Sequence, residues 1–372
     1  MNIVALIMTA FSILGAVDKI LGNRFGLGKE FDKGMRLIGN MILSMVGMIV
    51  LSPLIARLLT PVLDFMSGTL HLEPSILPAL LLANDMGGAA LAVQVAVDAR
   101  LGMHNAMVVS AMMGCTVSFS IPYAMGQVAP AQHKNLLLGY LCGIVMVPVG
   151  CIVSGIAAGL SLGSLLLNFL PLILFSLLVA AGLWFIPMTC VRIFKGVGRC
   201  MEILVTLGLA IGILRFMTGV EIIPGLETME NGGMICLKAA VVVSGAFPLM
   251  YILSHVLKSP LSALGRKLHI NNTSALGLLS TMASSMNTYG MMGDMDPRGV
   301  VLNGAFAVSA TSAFSGHVAF TVAFNQGYLP VVLLGKLVSG LAGLALAVVI
   351  CIRLQPEKMS AASTAAGQEV VK

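Results

Sequence analysis

Eleven apolar runs, each close to the length that crosses a bilayer, constrain this chain more than any other feature. They cover residues 2–17, 37–59, 75–97, 103–125, 136–160, 165–186, 201–217, 234–257, 274–292, 300–324 and 329–352. A transmembrane helix needs about 20 consecutive apolar residues. Only 10% of the residues are charged, whereas an average soluble domain carries about 25%. We therefore predict an all-α integral membrane protein with about 10–12 transmembrane helices.

The charges of the loops predict the orientation of the chain in the membrane. The first run lacks the basic flank of a signal peptide, so we expect it to be retained as a helix. Residues 18–36 form the most basic loop, and Lys and Arg concentrate in cytoplasmic loops. We therefore place this loop in the cytoplasm and the N-terminus outside. We expect one transmembrane transport domain over residues 1–353 and a disordered tail over 354–372.

Motifs for a cofactor or for catalysis are missing from the sequence. The six histidines lack the spacing of metal ligands, and the seven cysteines form no C-x-x-C pair. We find no nucleotide-binding loop and no catalytic triad. We therefore expect no cofactor, no metal, no nucleic-acid partner and no enzymatic activity. A membrane anchor for a soluble assembly is disfavoured because the loops are short.

Two of the spans carry more polar side chains than a bilayer tolerates. The stretch 274–324 contains Asn287, Tyr289, Asp294, Asp296, Arg298, Asn303 and His317. The sequence Asn-Asp-Met-Gly-Gly at 84–88 interrupts the run 75–97. Polar groups at membrane depth face a packed interior or a wet cavity, because each unpaired group costs several kcal/mol. We predict that the two interrupted regions form the two halves of one substrate site.

The chain also contains an internal repeat. Its matching positions, each 198 residues apart, are Asp98 and Asp296, Arg100 and Arg298, Asn105 and Asn303, and His71 and His269. We predict two homologous halves, over about residues 1–160 and 200–353, with broken helices of the kind found in transporters. A count of segments makes the halves parallel, whereas the alternation of basic and acidic loops makes them inverted. We favour inverted halves because loop charge is the more physical signal.

Short motifs spread over nearly the whole chain resemble those of one known family. They are LANDMGG at 82–88, AMMG at 111–114, FSIP at 119–122, IPGL at 223–226, HINN at 269–272, YGMM at 289–292, MDPRG at 295–299 and AFAVSA at 305–310. The sequence thereby resembles the ethanolamine-utilisation membrane permeases, the EutH family. The resemblance implies a multi-pass permease of the bacterial inner membrane that admits ethanolamine. A homo-oligomer and a link to ethanolamine-catabolising enzymes are compatible with it.

Two positions depart from the family pattern. Asn84 stands where a cysteine is expected, and Ser315-Gly316-His317 replaces a run of glycine, an acidic residue and histidine. The second change removes a carboxylate beside His317, which weakens the case for a proton relay there.

The implied substrate determines which side chains are candidates for binding. Ethanolamine is mainly an ammonium ion in neutral water, so it needs a carboxylate, carbonyl dipoles or an aromatic face. The candidate substrate-binding residues are Asp85, Asn84, Asn287, Tyr289, His317, Asn303, Asn105, Ser309 and Ser312. We expect Asp85 to meet the ammonium group, with Asn287 and Tyr289 forming the opposite wall.

Each candidate also has a structural alternative. Asp85 could cap a broken helix or pair with Lys238 or Lys336. Asn287 could cap a half-helix, Asn105 and Asn303 could cap the spans that they begin, and His317 could be hydrogen-bonded within the bundle. The Asp98–Arg100 and Asp296–Arg298 motifs are better explained as turn-stabilising pairs. For mechanism we favour facilitated diffusion, with proton- or sodium-coupled transport of a small amine as the alternative.

Overall fold

The computed structural model describes residues 3–256, 263 and 265–353, and the predicted tail lies outside them. The helices are α1 Ile3–Ile20, α2 Leu27–Thr69, α3 Ile76–Leu81, α4 Gly88–Val95, α5 Ala99–Gln127, α6 Pro130–Ala157, α7 Leu162–Phe185, α8 Pro187–Thr218, α9 Met229–Val256, α10 Asn272–Ala283, α11 Ser285–Met291, α12 Pro297–Ala310, α13 Gly316–Asn325 and α14 Leu329–Arg353. The predicted all-α membrane architecture is confirmed, because within the described residues seven stretches are long and apolar enough to cross a membrane.

The helix bounds correct two details of the sequence interpretation. The basic segment 18–36 is not a loop throughout, because α2 begins at Leu27. The segment between the predicted runs 37–59 and 75–97 is helical as far as Thr69. Asp18 explains the early start of α2, since its carboxylate accepts hydrogen bonds from the backbone N–H groups of Phe25 and Gly28 at 2.9 and 3.0 Å.

Glycines allow α6, α12 and α14 to pack closely at the centre of the bundle. A Cβ atom on Gly139 would lie 2.3 Å from the carbonyl oxygen of Val301, and one on Gly150 would lie 2.3 Å from that of Gly335. Small residues at such crossings bring helix backbones together in membranes, where dispersion forces drive packing. These three helices therefore form a close-packed core.

Helices α7 and α8 lie at the outside of the bundle. Large apolar side chains on them are exposed, with Leu178 at 69% and Phe185 at 77% of their maximal accessible surface. Such a surface is unfavourable in water and suits the hydrocarbon region of a bilayer.

Equivalent positions of the predicted repeat adopt similar local structures. His71 and His269 are both left-handed, with φ of 53° and 55°. Asp98 and Asp296 each cap the helix that follows, by accepting backbone N–H groups of its first turn. The duplication itself and the relative orientation of its halves stay predictions.

Candidate functional site

The first helix break separates α3 from α4 at residues 82–87. Gly87 is left-handed with φ of +90°, and Asn84–Met86 form a single 3-10 turn. The backbone passes very close to α5, since a Cβ on Gly114 would lie 2.0 Å from the carbonyl oxygen of Leu82. Hydroxyl groups of α5 satisfy the freed backbone: Ser110 donates to the Leu82 oxygen, and Ser118 accepts from the Ala83 N–H at 3.2 Å.

Two further breaks lie in the second half of the chain. Ser284 is extended and separates α10 from α11, and residues 311–315 separate α12 from α13. The backbone N–H groups of Ser312 and Phe314 donate to the carbonyl oxygens of Thr281 and Met282 at 3.0 and 2.9 Å. The open C-terminus of α10 is therefore held by the break between α12 and α13.

The three breaks meet at one cavity of about 380 Å³, which we call the central cavity. Its polar lining consists of Asn40, Ser44, Asp85, Cys115, Ser284, Ser285, Thr311, Ser312, Ser315 and His317, and its apolar lining includes Phe119 and Phe247. Irregular backbone at membrane depth occurs where it is buried in protein or lines a wet cavity. The expectation that the interrupted spans meet agrees with this geometry.

The central cavity continues into a larger one of about 720 Å³, the inner cavity. The two share Leu37, Asn40, Phe247, Ala283 and Ser284 in their walls. The inner cavity extends to Glu30, Lys33 and Arg36 near the start of α2. It therefore leads from the breaks to the end of the molecule that the basic segment predicts to be cytoplasmic.

A third cavity of about 420 Å³ lies toward the opposite end of α2. Polar side chains line it, among them Arg57, Asp64 and Gln94. A small apolar cluster extends from it toward the central cavity and consists of Met48, Leu82, Leu91, Val95, Met201 and Val205. Met48 contacts Gly87 beside the break, and Val95 lines the third cavity. We call this group the outer cluster; it lies between Gly87 of the break and the third cavity.

Asp85 lines the central cavity, and its role as a substrate contact stays a prediction. It is half-buried on the 3-10 turn. Asn84 beside it is fully buried, and neither its amide oxygen nor its amide nitrogen has a hydrogen-bond partner. A buried polar group without a partner is rare in folded proteins and points to strain or to function.

His317 also lines the central cavity, and Lys336 of α14 lies behind it. Lys336 is fully buried; its Nζ donates to the carbonyl oxygen of Ala111 and is hydrogen-bonded to Nδ1 of His317, both at 2.9 Å. Ala111 belongs to a π-helical stretch of α5, Asn105–Gly114, and such stretches are frequent at functional sites. Lys336 was named in the sequence interpretation only as a partner for Asp85. A lysine inside the apolar run of α14 is the sequence signal that identifies Lys336 as a candidate functional residue.

Tyr289 and Asn287 do not face Asp85 across the central cavity. Tyr289 is buried, and its hydroxyl accepts a hydrogen bond from Tyr140 at 2.9 Å. Asn287 is exposed and lines the inner cavity instead. Because α11 turns after Ser284, the side chains of Tyr289 and Asn287 do not form the wall opposite Asp85 that the sequence predicted.

The remaining candidates divide between the cavity and the helix interfaces. Ser312 lines the central cavity. Ser309 forms a 2.6 Å hydrogen bond with Ser339 between α12 and α14. Asn105 exchanges hydrogen bonds with Asn168 at 2.9 and 3.1 Å, and Asn303 donates to the Ser274 and Gly299 carbonyl oxygens. Helix packing therefore occupies the Asn105 amide and the amide nitrogen of Asn303, whereas Oδ1 of Asn303 is buried without a hydrogen-bond partner.

The D-x-R motifs stabilise turns, but not as ion pairs. Arg100 donates to the carbonyl oxygens of Ala158 and Gly159 at the C-terminus of α6, at 3.3 and 2.7 Å. Asp296 accepts from Ser274 Oγ and from the Asn271 N–H. Within the described residues, neither aspartate lies within ion-pair distance of the arginine in its motif. Each acidic side chain caps a helix, and Arg100 fixes a neighbouring chain segment.

Possible metal ligands are dispersed. Over residues 3–256, 263 and 265–353, no group of three or more His, Cys, Asp or Glu side chains could hold a metal ion. The seven cysteines are free, and six of them are buried. The polar groups in the wall of the central cavity are one carboxylate, one imidazole, one amide, one thiol and several hydroxyls, with the Lys336 amine behind the imidazole.

Comparison with known proteins gives consistent matches over almost the entire chain. The family model described as "Ethanolamine utilisation protein, EutH" matches residues 1–350. The "Probable ethanolamine permease EutH" of Listeria monocytogenes is 37% identical over 364 residues, covering 98% of each chain. A protein of the same name from Escherichia coli K12 is 34% identical, covering 94% of this chain and 95% of the relative. The "Uncharacterized protein YxeR" of Bacillus subtilis is 35% identical, covering 92% and 93%. No solved structure matches this chain.

Proposed function

The chain belongs to the EutH family of ethanolamine utilisation proteins, and from this premise we propose that it is a permease that moves ethanolamine across the bacterial inner membrane by facilitated diffusion. It is a multi-pass membrane protein and not an enzyme. The observation that carries the proposal is the meeting of three helix breaks at a cavity with one carboxylate. Ligand sites of transporters are built from such discontinuous helices near the midplane.

The central cavity offers a partner for each end of ethanolamine. The amino group donates to the Asp85 carboxylate, a charge-assisted hydrogen bond of the stronger class. The hydroxyl exchanges hydrogen bonds with Ser312 or Ser315, which line the cavity. The ethylene carbons contact Phe119 and Phe247, which line the same cavity. A volume of about 380 Å³ also leaves room for water, which bridges the remaining polar groups.

The cavities suggest how access alternates. The central cavity communicates with the inner cavity, whereas the outer cluster closes it toward the third cavity. Entry of ethanolamine from the outside then requires α4 to move away from α2 and α8, which separates Leu91 from Met48 and Val205. In this scheme the structure is the inward-facing state of a facilitator.

A coupled mechanism is the second candidate, and one observation favours it. His317 and Lys336 form a buried ionisable pair at the cavity wall, and intramembrane ionisable groups commonly serve in proton pathways. Proton coupling would use this pair together with Asp85, and sodium coupling would use the serine hydroxyls and freed carbonyls.

Radioactive ethanolamine flux into proteoliposomes tests the proposal. With no ion gradient, we expect uptake that stops at equal concentrations inside and outside. Accumulation driven by protons or sodium supplied on the outside would establish the coupled mechanism instead. Protein-free liposomes measure the leak of the amine through lipid. The absence of any protein-dependent uptake would refute the permease assignment.

Two variants test the site in the same assay. Asp85→Asn keeps the side-chain shape and removes the charge, so we expect a large loss of flux. Asp294→Asn is the matched control, because Asp294 is exposed outside the cavity. Asn287→Ala tests whether the inner cavity contributes to the path. Flux through Asp85→Asn equal to that of the Asp294→Asn protein would remove Asp85 from the site.

A further inference from the structure

Helix α8 is longer than a bilayer requires, and one of its ends carries positive charge. With 32 residues it extends about 48 Å, whereas the hydrocarbon region of a bilayer is about 30 Å thick. Residues 187–199 contain Arg192, Lys195 and Arg199 but no acidic residue. Because Lys and Arg concentrate on the cytoplasmic side of membranes, this basic end lies at the headgroups of the cytoplasmic leaflet.

The three basic side chains point away from the bundle, although their helix is firmly attached to it. Positions 192, 195 and 199 are three and four residues apart, so they share one face of α8, and all three side chains are exposed. The opposite face is buried through Cys190 and Phe194. The cations are therefore presented from a fixed helix and not from a flexible loop.

Two of these cations have no counter-charge in the protein. Arg199 pairs with Glu202 at 2.6 Å. Among the described residues, no acidic side chain lies within ion-pair distance of Arg192 or Lys195. Residues three apart on a helix have Cβ atoms about 5–6 Å from each other. One phosphate group can therefore accept hydrogen bonds from the Arg192 guanidinium and from the Lys195 ammonium at the same time.

The same face of α8 becomes apolar farther along the helix. Ile203 and Leu207 follow Arg199 at four-residue intervals, and they are exposed at 48% and 53% of their maximal surface. A ligand with an anionic head and apolar tails matches this order of surfaces, because its head meets the cations while its tails follow the apolar side chains. A soluble phosphate compound would match the basic end alone.

We propose that Arg192 and Lys195, together with the apolar face beyond them, form a binding site for an anionic phospholipid of the cytoplasmic leaflet. The phosphate lies between the two cations, and the acyl chains lie along Ile203 and Leu207. Each cation near an anionic membrane surface favours binding about fivefold, so we expect an anionic phospholipid to be preferred over a zwitterionic one by about 5–30-fold. The site lies on the outer surface of the bundle, apart from the central cavity.

Trp184 at the end of α7 provides a natural reporter for this site. It is the single tryptophan of the chain, and its side chain is 62% exposed. The start of α8 packs against the end of α7, since a Cβ on Gly182 would lie 2.7 Å from Sγ of Cys190. Trp184 therefore lies beside the basic end of α8, where tryptophan typically marks the membrane interface.

Quenching of Trp184 by brominated lipids tests the proposal. The full chain is reconstituted into phosphatidylcholine bilayers that contain a small fraction of brominated phosphatidylglycerol or, in parallel, of brominated phosphatidylcholine. We expect the phosphatidylglycerol to quench more strongly at equal fraction, with a relative binding constant of about 5–30. Equal quenching by the two lipids would show ordinary lipid contact and would overturn the proposal.

Variants connect the preference to the two cations. The double variant Arg192→Gln, Lys195→Gln should lower the relative binding constant below about two, and each single variant should lower it about threefold to fivefold. Lys29→Gln is the matched control, since Lys29 is an exposed cation on the first part of α2, and we expect it to keep the preference. An unchanged preference in the double variant would overturn the role of Arg192 and Lys195. If the double variant does not fold, the two single variants decide in the same way.

Inorganic phosphate distinguishes a lipid site from a site for soluble phosphate. It is added to the same liposomes, and sodium chloride of equal ionic strength measures the screening of charge by salt. We expect phosphate to relieve quenching by brominated phosphatidylglycerol no more than chloride does, because phosphate lacks acyl chains. Relief specific to phosphate would mean that a soluble anion occupies the site, and it would overturn the assignment to a phospholipid.

Discussion

The two interrupted spans, residues 76–95 and 272–291, line the same cavity but contribute different chemistry. The first places the carboxylate of Asp85 in the cavity wall, and the buried, unpartnered amide of Asn84 lies next to it in the chain, outside the lining. The second uses its polar groups to hold helices together: Thr288 donates to Gly277 and shares a 2.9 Å hydrogen bond with Thr281. Of these two spans, the first therefore carries the charged group and the buried amide without a partner, whereas the polar groups of the second form hydrogen bonds that hold helices together.

This difference shows that a repeated sequence pattern does not produce a symmetric site. Both spans break at small or polar residues, but only the first is forced by a left-handed glycine in close contact with a neighbouring helix. The second break is an extended serine, a conformation open to any residue. We therefore expect the first span to tolerate fewer amino-acid substitutions at its break than the second.

Alanine substitution of one glycine in each span gives the largest contrast. Gly87→Ala places a Cβ 1.9 Å from Met48 Cγ at a φ of +90°, so strain and overpacking should lower the free energy of unfolding by about 2–5 kcal/mol. Gly290 has no atom within 4 Å of its Cβ position, and Gly290→Ala should raise stability by about 0.5–1 kcal/mol. Thermal unfolding of the purified variants in detergent measures both. Equal shifts would show that the two spans are constrained alike.

Removal of a polar group from each break tests the division of chemistry. Asp85→Asn should reduce ethanolamine flux at limiting substrate by about 10–100-fold, the value of a hydrogen bond to a charged group. Ser284→Ala, from the second break, should cost less than about tenfold, because a neutral hydrogen bond contributes about 0.5–1.5 kcal/mol. Initial rates normalised to folded protein give the comparison. A larger loss of flux for Ser284→Ala than for Asp85→Asn would mean that the second break, and not the first, provides the main polar contact to the substrate.

Asparagine replacement separates function from packing. Asn84→Cys removes a buried amide without a partner, and we expect the free energy of unfolding to rise by up to about 1 kcal/mol while flux falls. Asn303→Cys removes an amide that donates to two carbonyl oxygens, so stability should fall by about 1–3 kcal/mol. Paired unfolding and flux measurements distinguish these outcomes. A loss of stability in Asn84→Cys would mean that its amide supports the fold.

Asp18 provides a carboxylate with a purely structural role for comparison with Asp85. Burial raises its pKa, but backbone N–H donors from Gly28, Phe25, Leu27 and Arg24 outweigh burial, and the pKa of Asp18 lies below its usual value of 3.8. A carboxyl with a lowered folded-state pKa stabilises the protein above its unfolded pKa, and this contribution is lost as the pH falls through the folded value. The difference in Tm between the parent and Asp18→Asn should therefore shrink from about pH 6 to about pH 3. A difference independent of pH would contradict this explanation.

The sequence predicted the break at 82–88 because Gly87 and Gly88 follow two polar residues inside an apolar run, a local signal. Asp85 and His317 were singled out by the same reasoning, since each is an ionisable residue at membrane depth. Lys336 was undervalued because it is isolated in its run. Tyr289 was expected in the cavity because its ring suits a cation, yet its hydroxyl bonds to Tyr140 in the core. Residue type alone does not reveal the face on which a side chain lies.

The sequence by itself determined the membrane class, the helical runs and the break at 82–88. These depend on bilayer thickness and on the need of each backbone group for a hydrogen-bond partner, and both act on neighbouring residues. Only the tertiary structure decided that the three breaks meet, that Lys336 contacts His317, and that the outer cluster lies between the first break and the third cavity. Those contacts join residues far apart in the chain, and their geometry depends on how closely α6, α12 and α14 pack, which no local pattern specifies.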